Sequence, residues 1–234
     1  MDSNWGLKCH KDRTRVDAAG RAFAGSQRQI QTYVNEHTTK VSDAVRRSLS
    51  FSSAEIEWVS PTRSSGYAEY RDDDFLRVLG LERLTDQLRK FWPRGGPCWD
   101  ALARVAFSDG RRGCVLVEAK SHLNEIYGNG CGASGDSLQQ ISRALLRTKE
   151  WLGIVPDANW TGKLYQSANR YAHLHFLRGI AGIEAYLVNV YFIADPHSPT
   201  SLQDWSPAID SVERQLGLAA SVPFAGKVFL NAMP

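Results

Sequence analysis

The chain has 234 residues, 43% hydrophobic and 23% charged, with a formal net charge of +3. That is enough apolar material for one good core, with no internal repeat and no low-complexity tract. The polar N-terminus and strand-sized apolar runs argue against a secretory leader or a membrane span, so the expectation is a soluble, cytoplasmic protein with no membrane partner.

Charge is unevenly spread. Residues 1–49 sum to +4 and the remainder to −1, so sequence-independent attraction to phosphates would concentrate on Arg13, Arg15, Arg21, Arg28, Arg46 and Arg47. A solvated helical face explains any one of these arginines equally well. Ile30, Tyr33, Val34, Val41, Val45 and Leu49 recur at helical spacing and predict helices within residues 27–49. Residues 54–59 read as a short strand before Pro61. Residues 66–80 predict an amphipathic helix through Phe75, Leu76 and Leu79, and residues 82–91 a second one.

Two apolar strands follow, residues 99–107 and 114–120, around the turn-like run Ser108-Asp-Gly-Arg-Arg-Gly113. Residues 136–152 predict a helix with Leu138, Ile141, Leu145 and Leu152 along one side and a polar start. Residues 165–178 read as helix and residues 185–193 as a strong β-branched and aromatic strand. Residues 208–216 are expected to be helical and residues 227–230 to form a last strand.

The hairpin carries the chemistry. Alternation puts Cys114, Leu116, Glu118 and Lys120 on one face of the second strand, and Asp100 shares its face with Leu102 and Arg104 on the first. A loop with an odd number of residues turns Asp100 toward Glu118 and Lys120. With Asp109-Gly110-Arg111 as that loop, Asp100 is expected opposite Lys120 and diagonal to Glu118. Two carboxylates at that separation suit one hard divalent cation completed by water and phosphate oxygens. The ammonium offsets their mutual repulsion and can orient an attacking water or stabilise a pentacovalent phosphate.

Asp100 followed by Glu118-Ala119-Lys120 on the next strand resembles the signature of the PD-(D/E)XK nuclease superfamily, over roughly residues 67–152. Trp99 stands where that motif has its proline. No separate strand is legible between the 66–80 helix and Asp100, because residues 91–96 carry Pro93, Gly95 and Gly96. The resemblance implies an α/β restriction-endonuclease-like fold, a mixed sheet flanked by helices. Residues 1–55 would form a basic helical N-terminal arm of the same compact unit, and residues 56–234 the nuclease core.

It also implies the roles. Asp100 and Glu118 would ligate Mg²⁺ or Mn²⁺, Glu69 would support the metal from the preceding helix, Lys120 would position the water, and Gln140 would orient a group from the following helix. The substrate would be nucleic acid, DNA ahead of RNA, and a homodimer would place two sites on a duplex. The plain alternatives are that Glu69 and Asp72-Asp73-Asp74 only favour a helix N-terminus, and that Gln140 is a surface glutamine. The rival for the whole chain is a catalytically inactive nucleic-acid-binding or assembly protein on the same fold.

Other motifs are weaker. Gly130-Cys-Gly-Ala-Ser-Gly135 matches a dinucleotide-loop pattern but lacks the short strand-to-helix turn and the acidic strand end that such loops need, so it reads as a flexible loop beside the site. A small-molecule or nucleotide enzyme using it is the third reading. His173-Leu-His175 would chelate only on a strand, and its surroundings look helical. His122 and Glu125 stand near the proposed chemistry. Cys9, Cys98, Cys114 and Cys131 form no CxxC pair, which argues against a zinc knuckle or disulfide framework and predicts buried thiols in a reducing compartment.

Overall fold

A computed structural model describes residues 15–51, 53–155, 157–219 and 222–233; Cys9 and Arg13 lie outside them. It is α/β, with a five-stranded mixed sheet flanked by helices on both faces. The strands are β1 (Ala54–Ser60), β2 (Ala101–Phe107), β3 (Arg112–Lys120), β4 (Glu184–Ile193) and β5 (Ala225–Asn231), and they lie in the sheet in that order. The first three are antiparallel to one another, whereas β4 runs parallel to β3 and β5 parallel to β4. Parallel neighbours need crossovers, and helices provide them. These are α5 (Gly135–Leu152) and α6 (Tyr165–His175) before β4, then α7 (Leu202–Leu216) before β5.

Period-two alternation divides the core. Ala101, Ala103, Val115, Val117, Ala119, Val188 and Val190 meet α1 (Gly25–Glu36) and α2 (Thr38–Ser48) through Ile30, Tyr33, Val41 and Val45. The N-terminal helices therefore form one full layer against the sheet. Leu102, Cys114, Leu116 and Leu187 face the other way, toward α3 (Asp72–Val78), α4 (Thr85–Phe91), α5, α6 and α7. Strand β3 is buried on both faces from Cys114 to Ala119. Among the described residues no helix is long and apolar enough to cross a membrane.

Helix α1 also ties distant parts of the chain together through glutamines. Gln29 accepts from Met233 N at 2.8 Å and donates to Met233 O at 3.0 Å, and Tyr33 Oη donates to Asn231 O at 2.8 Å. Gln27, in the first turn, donates to Glu69 Oε1 at 2.6 Å.

Three local expectations are corrected. The helix expected over residues 66–80 begins only at Asp72, because Gly66, Tyr67 and Asp72 all take positive φ (65°, 54° and 49°) and break the helical path. The acidic run is absorbed locally. Asp72 accepts from Gly95 N and Gly96 N at 3.1 and 2.9 Å, while Asp73 and Asp74 pair with Arg89 and Arg77. Helix α7 starts at Leu202, ahead of residue 208, behind a capping box in which Ser201 and Asp204 satisfy each other's backbone N–H groups. Finally, Cys98 is disulfide-bonded, so the expectation of thiols throughout fails there; Cys114 and Cys131 are free, and burial pushes the Cys114 thiol up to about 12.

Candidate active site

The register of the β2–β3 hairpin decides which charged groups meet. Ala101 pairs with Val117 and Ala106 with Arg112, and the ladder closes with Phe107 N donating to Arg111 O at 2.9 Å. The loop is therefore Ser108-Asp109-Gly110, one residue earlier than expected. Turn chemistry sets it: Asp109 accepts from Arg111 N at 3.0 Å, and Gly110 takes a φ of +86° that other residues resist. The loop length stays odd, so Asp100 keeps its place on the face of Glu118 and Lys120. The ladder ends at Ala101 and Val117, where Asp100 N also donates to Val117 O at 3.2 Å. Asp100 is thus not paired with Lys120 as expected, and its carboxyl lies close enough to Glu118, Glu69 and Lys120 to feel the charge of each.

Asp100 accepts from Ala119 N at 2.7 Å. Burial pushes its carboxyl well above the usual carboxylate range, and repulsion from Glu118 and Glu69 adds to this; Lys120 and the Ala119 N–H offset only part. Glu118 is the opposite case. Its burial would raise it, but Arg170 and Lys120 beside it more than compensate and hold it below its ordinary value.

Four N–H contacts surround the Glu118 carboxylate. Lys120 Nζ and Gln166 Nε2, the latter at 2.8 Å, reach Oε1, while Arg170 Nε and Nη2 reach Oε2 at 2.6 and 2.5 Å. Three of these are hydrogen bonds and the Arg170 Nη2 contact is an ion pair, so most of the roughly four lone-pair positions of the Glu118 carboxylate are taken. Arg170 is itself fixed on every side: Nη2 donates to Cys98 O at 2.9 Å, Nη1 to Asn169 Oδ1 at 2.9 Å, and the guanidinium lies 5.0 Å from the Trp99 ring centroid.

Glu69 belongs to the cluster, although no helix carries it. Tyr70 bridges to Trp99 through Trp99 N donating to Tyr70 O at 3.1 Å, which lays the extended segment before α3 alongside the entry to β2. Glu69 is 7% exposed there, and its Oε2 lies 3.8 Å from Cys98 Sγ.

Gln140 lies elsewhere. It sits on α5, but its amide donates to Arg89 O at 2.7 Å and so joins α5 to α4. The helix-borne glutamine at the site is Gln166, with Arg170 one turn later on α6. Sequence reasoning missed both. A signal existed, since Gln166, Asn169 and Arg170 put three polar groups at i, i+3 and i+4 on a helix whose other positions are largely apolar.

The remaining candidates separate cleanly. Glu125 accepts from Ser121 N at 2.8 Å and lies 3.2 Å from His122 Nε2, so both border the site just past Lys120. His173 and His175 diverge on α6, as expected for a helix. His173 packs against Trp92 and Trp99 and His175 stacks on Trp151; burial lowers each to about 4. The glycine loop is pinned to the segment preceding α6 by Gly128 N donating to Lys163 O and Cys131 N to Thr161 O, each at 2.9 Å.

Among the described residues no group of three or more His, Cys, Asp or Glu side chains is placed to hold a metal ion. The donor chemistry still suits a magnesium-type ion. Such ions are commonly bound by one or two carboxylates with water and phosphate oxygens, and Asp100 and Glu118 are close enough for repulsion between them to add to the effect of burial on Asp100. No family model, curated protein or solved structure matches the chain.

The Asp100 shift has a testable sign. A carboxyl held above its unfolded value binds its proton more tightly in the folded state, so its contribution is present at low pH and lost as pH rises through the folded value. Asp100→Asn is therefore expected to melt higher than the parent at pH 8, with the difference closing toward pH 4. Thermal melts at the two pH values check this. A gap that widens on acidification would mean that Asp100 is held charged.

Proposed function

We propose that this chain is a Mg²⁺- or Mn²⁺-dependent nuclease on a restriction-endonuclease-like fold. One observation carries the reading: the Asp100 carboxylate accepts from Ala119 N, between Glu118 and Lys120 in the chain, and Lys120 is bonded to the Glu118 carboxylate. The antiparallel hairpin followed by a parallel strand, sandwiched between helices, agrees with the architecture that the resemblance implies. DNA stands ahead of RNA as substrate on that resemblance.

Asp100 and Glu118 would hold the cation, with Glu69 supporting it. When bound, the cation supplies Lewis-acid polarisation of the phosphodiester. The rest falls to the chain's own groups. Lys120 and Gln166 both bond Oε1 of Glu118, so that oxygen would be offered to the cation if Lys120 left it, and the freed ammonium would then be placed to orient the attacking water and offset charge on the pentacovalent phosphate. Arg170 and Gln166 keep the Glu118 carboxylate in place meanwhile. Asp100 has to shed its proton, so cation affinity rises with pH.

The bond between Lys120 and Glu118 also favours a second reading. If Lys120 stays on Glu118, the same surface binds nucleic acid without hydrolysing it. Incubation with single- and double-stranded DNA and with RNA, in Mg²⁺, Mn²⁺ or EDTA, separates the two. Cation-stimulated cleavage abolished by Asp100→Asn is the expected result. Salt-sensitive binding with no product under any cation would overturn the nuclease reading and leave the second.

A further inference from the structure

Two side chains have no packing reason for their positions. Phe23 is 62% exposed and Tyr127 is 43% exposed, the two most exposed aromatic rings among the described residues. Phe23 immediately precedes Ala24, the N-cap of α1. An apolar residue there ordinarily packs on the fourth helical position, but that position is Arg28, so Phe23 gains no such staple.

Both rings stand on segments that border the site. A Cβ on Gly25 would lie 3.9 Å from Glu125 Oε1, so the start of α1 stands against the Glu125 carboxylate. Glu125 in turn accepts from Ser121 N, the residue after Lys120. Phe23 lies two residues before Gly25, and Tyr127 lies two residues after Glu125. Segments about a hundred residues apart in sequence thus meet beside Lys120, each carrying an exposed ring two residues from the contact. Cations accompany them: Arg28 stands in the first turn of α1, and exposed Lys163 accepts at its carbonyl from Gly128 N, next to Tyr127.

We propose that Phe23 and Tyr127 form a stacking platform for unpaired nucleotides, so that this site takes single strands or frayed ends in preference to intact duplex. The inference rests on the nucleic-acid reading of the site. In a duplex the base faces are covered by their neighbours, and only base edges reach the grooves. An exposed ring therefore gains stacking energy only from an unstacked base, and that gain is insensitive to sequence. Arg28 and Lys163 would meet the phosphates between, which both single and double strands possess.

The test is a fluorescence-anisotropy titration of the full chain with labelled oligo-dT and with a hairpin duplex, in EDTA so that nothing is cleaved. Phe23→Ala and Tyr127→Ala are each expected to weaken single-strand binding by about tenfold and to change duplex binding by less than about twofold. Phe224→Ala removes an exposed ring beside Tyr186, at the other end of the sheet, and is expected to change neither. Melting curves should coincide, because both rings are exposed. The proposal is overturned if the parent does not bind the single strand, if both variants bind it as the parent does, or if duplex binding falls equally. Ring-dependent binding with no cation-stimulated product would retain the platform and remove the nuclease reading. Cleavage with ring-independent binding would do the reverse.

Discussion

Replacing Arg170 with alanine is expected to lower the unfolding free energy by roughly 3–5 kcal/mol, because it leaves the buried Glu118 carboxylate without its principal cation. Arg170 is 5% exposed and Glu118 4%, so little water reaches either to soften the loss. For a chain of this size each kcal/mol moves the melting temperature by about 2–4 °C, so the effect is readable in a single thermal scan. The control is a double variant, Arg170→Met with Glu118→Gln, which removes both charges and is expected to recover most of the loss, since buried ion pairs replaced as a unit are often neutral. A single variant that melts within a degree of the parent would show that Glu118 does not depend on Arg170.

Lys120→Ala is expected to reduce cation-dependent cleavage by on the order of 10² or more while leaving the fold intact. Arg170 and Gln166 still hold Glu118 in that variant, so the lost ammonium is felt in the reaction and not in stability. Lys120→Arg should not restore the rate, because a planar guanidinium is not a compact, mobile ammonium. Single-turnover rates at saturating Mn²⁺ make the distinction. A fall in substrate affinity at unchanged rate would assign Lys120 to phosphate anchoring alone, and unchanged cleavage would end its assigned role.

Much of the site was legible because strands obey parity. Any odd-length loop turns Asp100 toward Glu118 and Lys120, so the shared face survived an error of one residue in the loop. The register did not survive it, since that depends on the Asp109 side chain bonding to Arg111, a local competition that alternation does not reveal. Among the described residues no strand stands between α3 and Asp100, and the outer neighbour of β2 is β1, the strand expected over residues 54–59. Glu69 was assigned to a helix because Phe75, Leu76 and Leu79 carry a true helical period, while the positive φ at Tyr67 and Asp72 leaves no mark in that pattern. Gln140 was chosen from the helix next after the hairpin, and Gln166, in the first turn of the helix beyond it, was not considered. Only tertiary packing, with α5 seated on α4 and α6 over the strand ends, tells them apart. Helix α7 was expected only from residue 208, although Ser201 and Asp204 spelled out its cap.

The glutamine clasp of α1 bears on how the molecule comes into being. Gln29 is fastened to Met233, and two residues earlier Gln27 braces Glu69. A chain still being translated would carry the hairpin carboxylates long before the last strand emerges to seat that helix. The seat of that helix, and with it the brace on Glu69, is therefore completed only once β5 has been made.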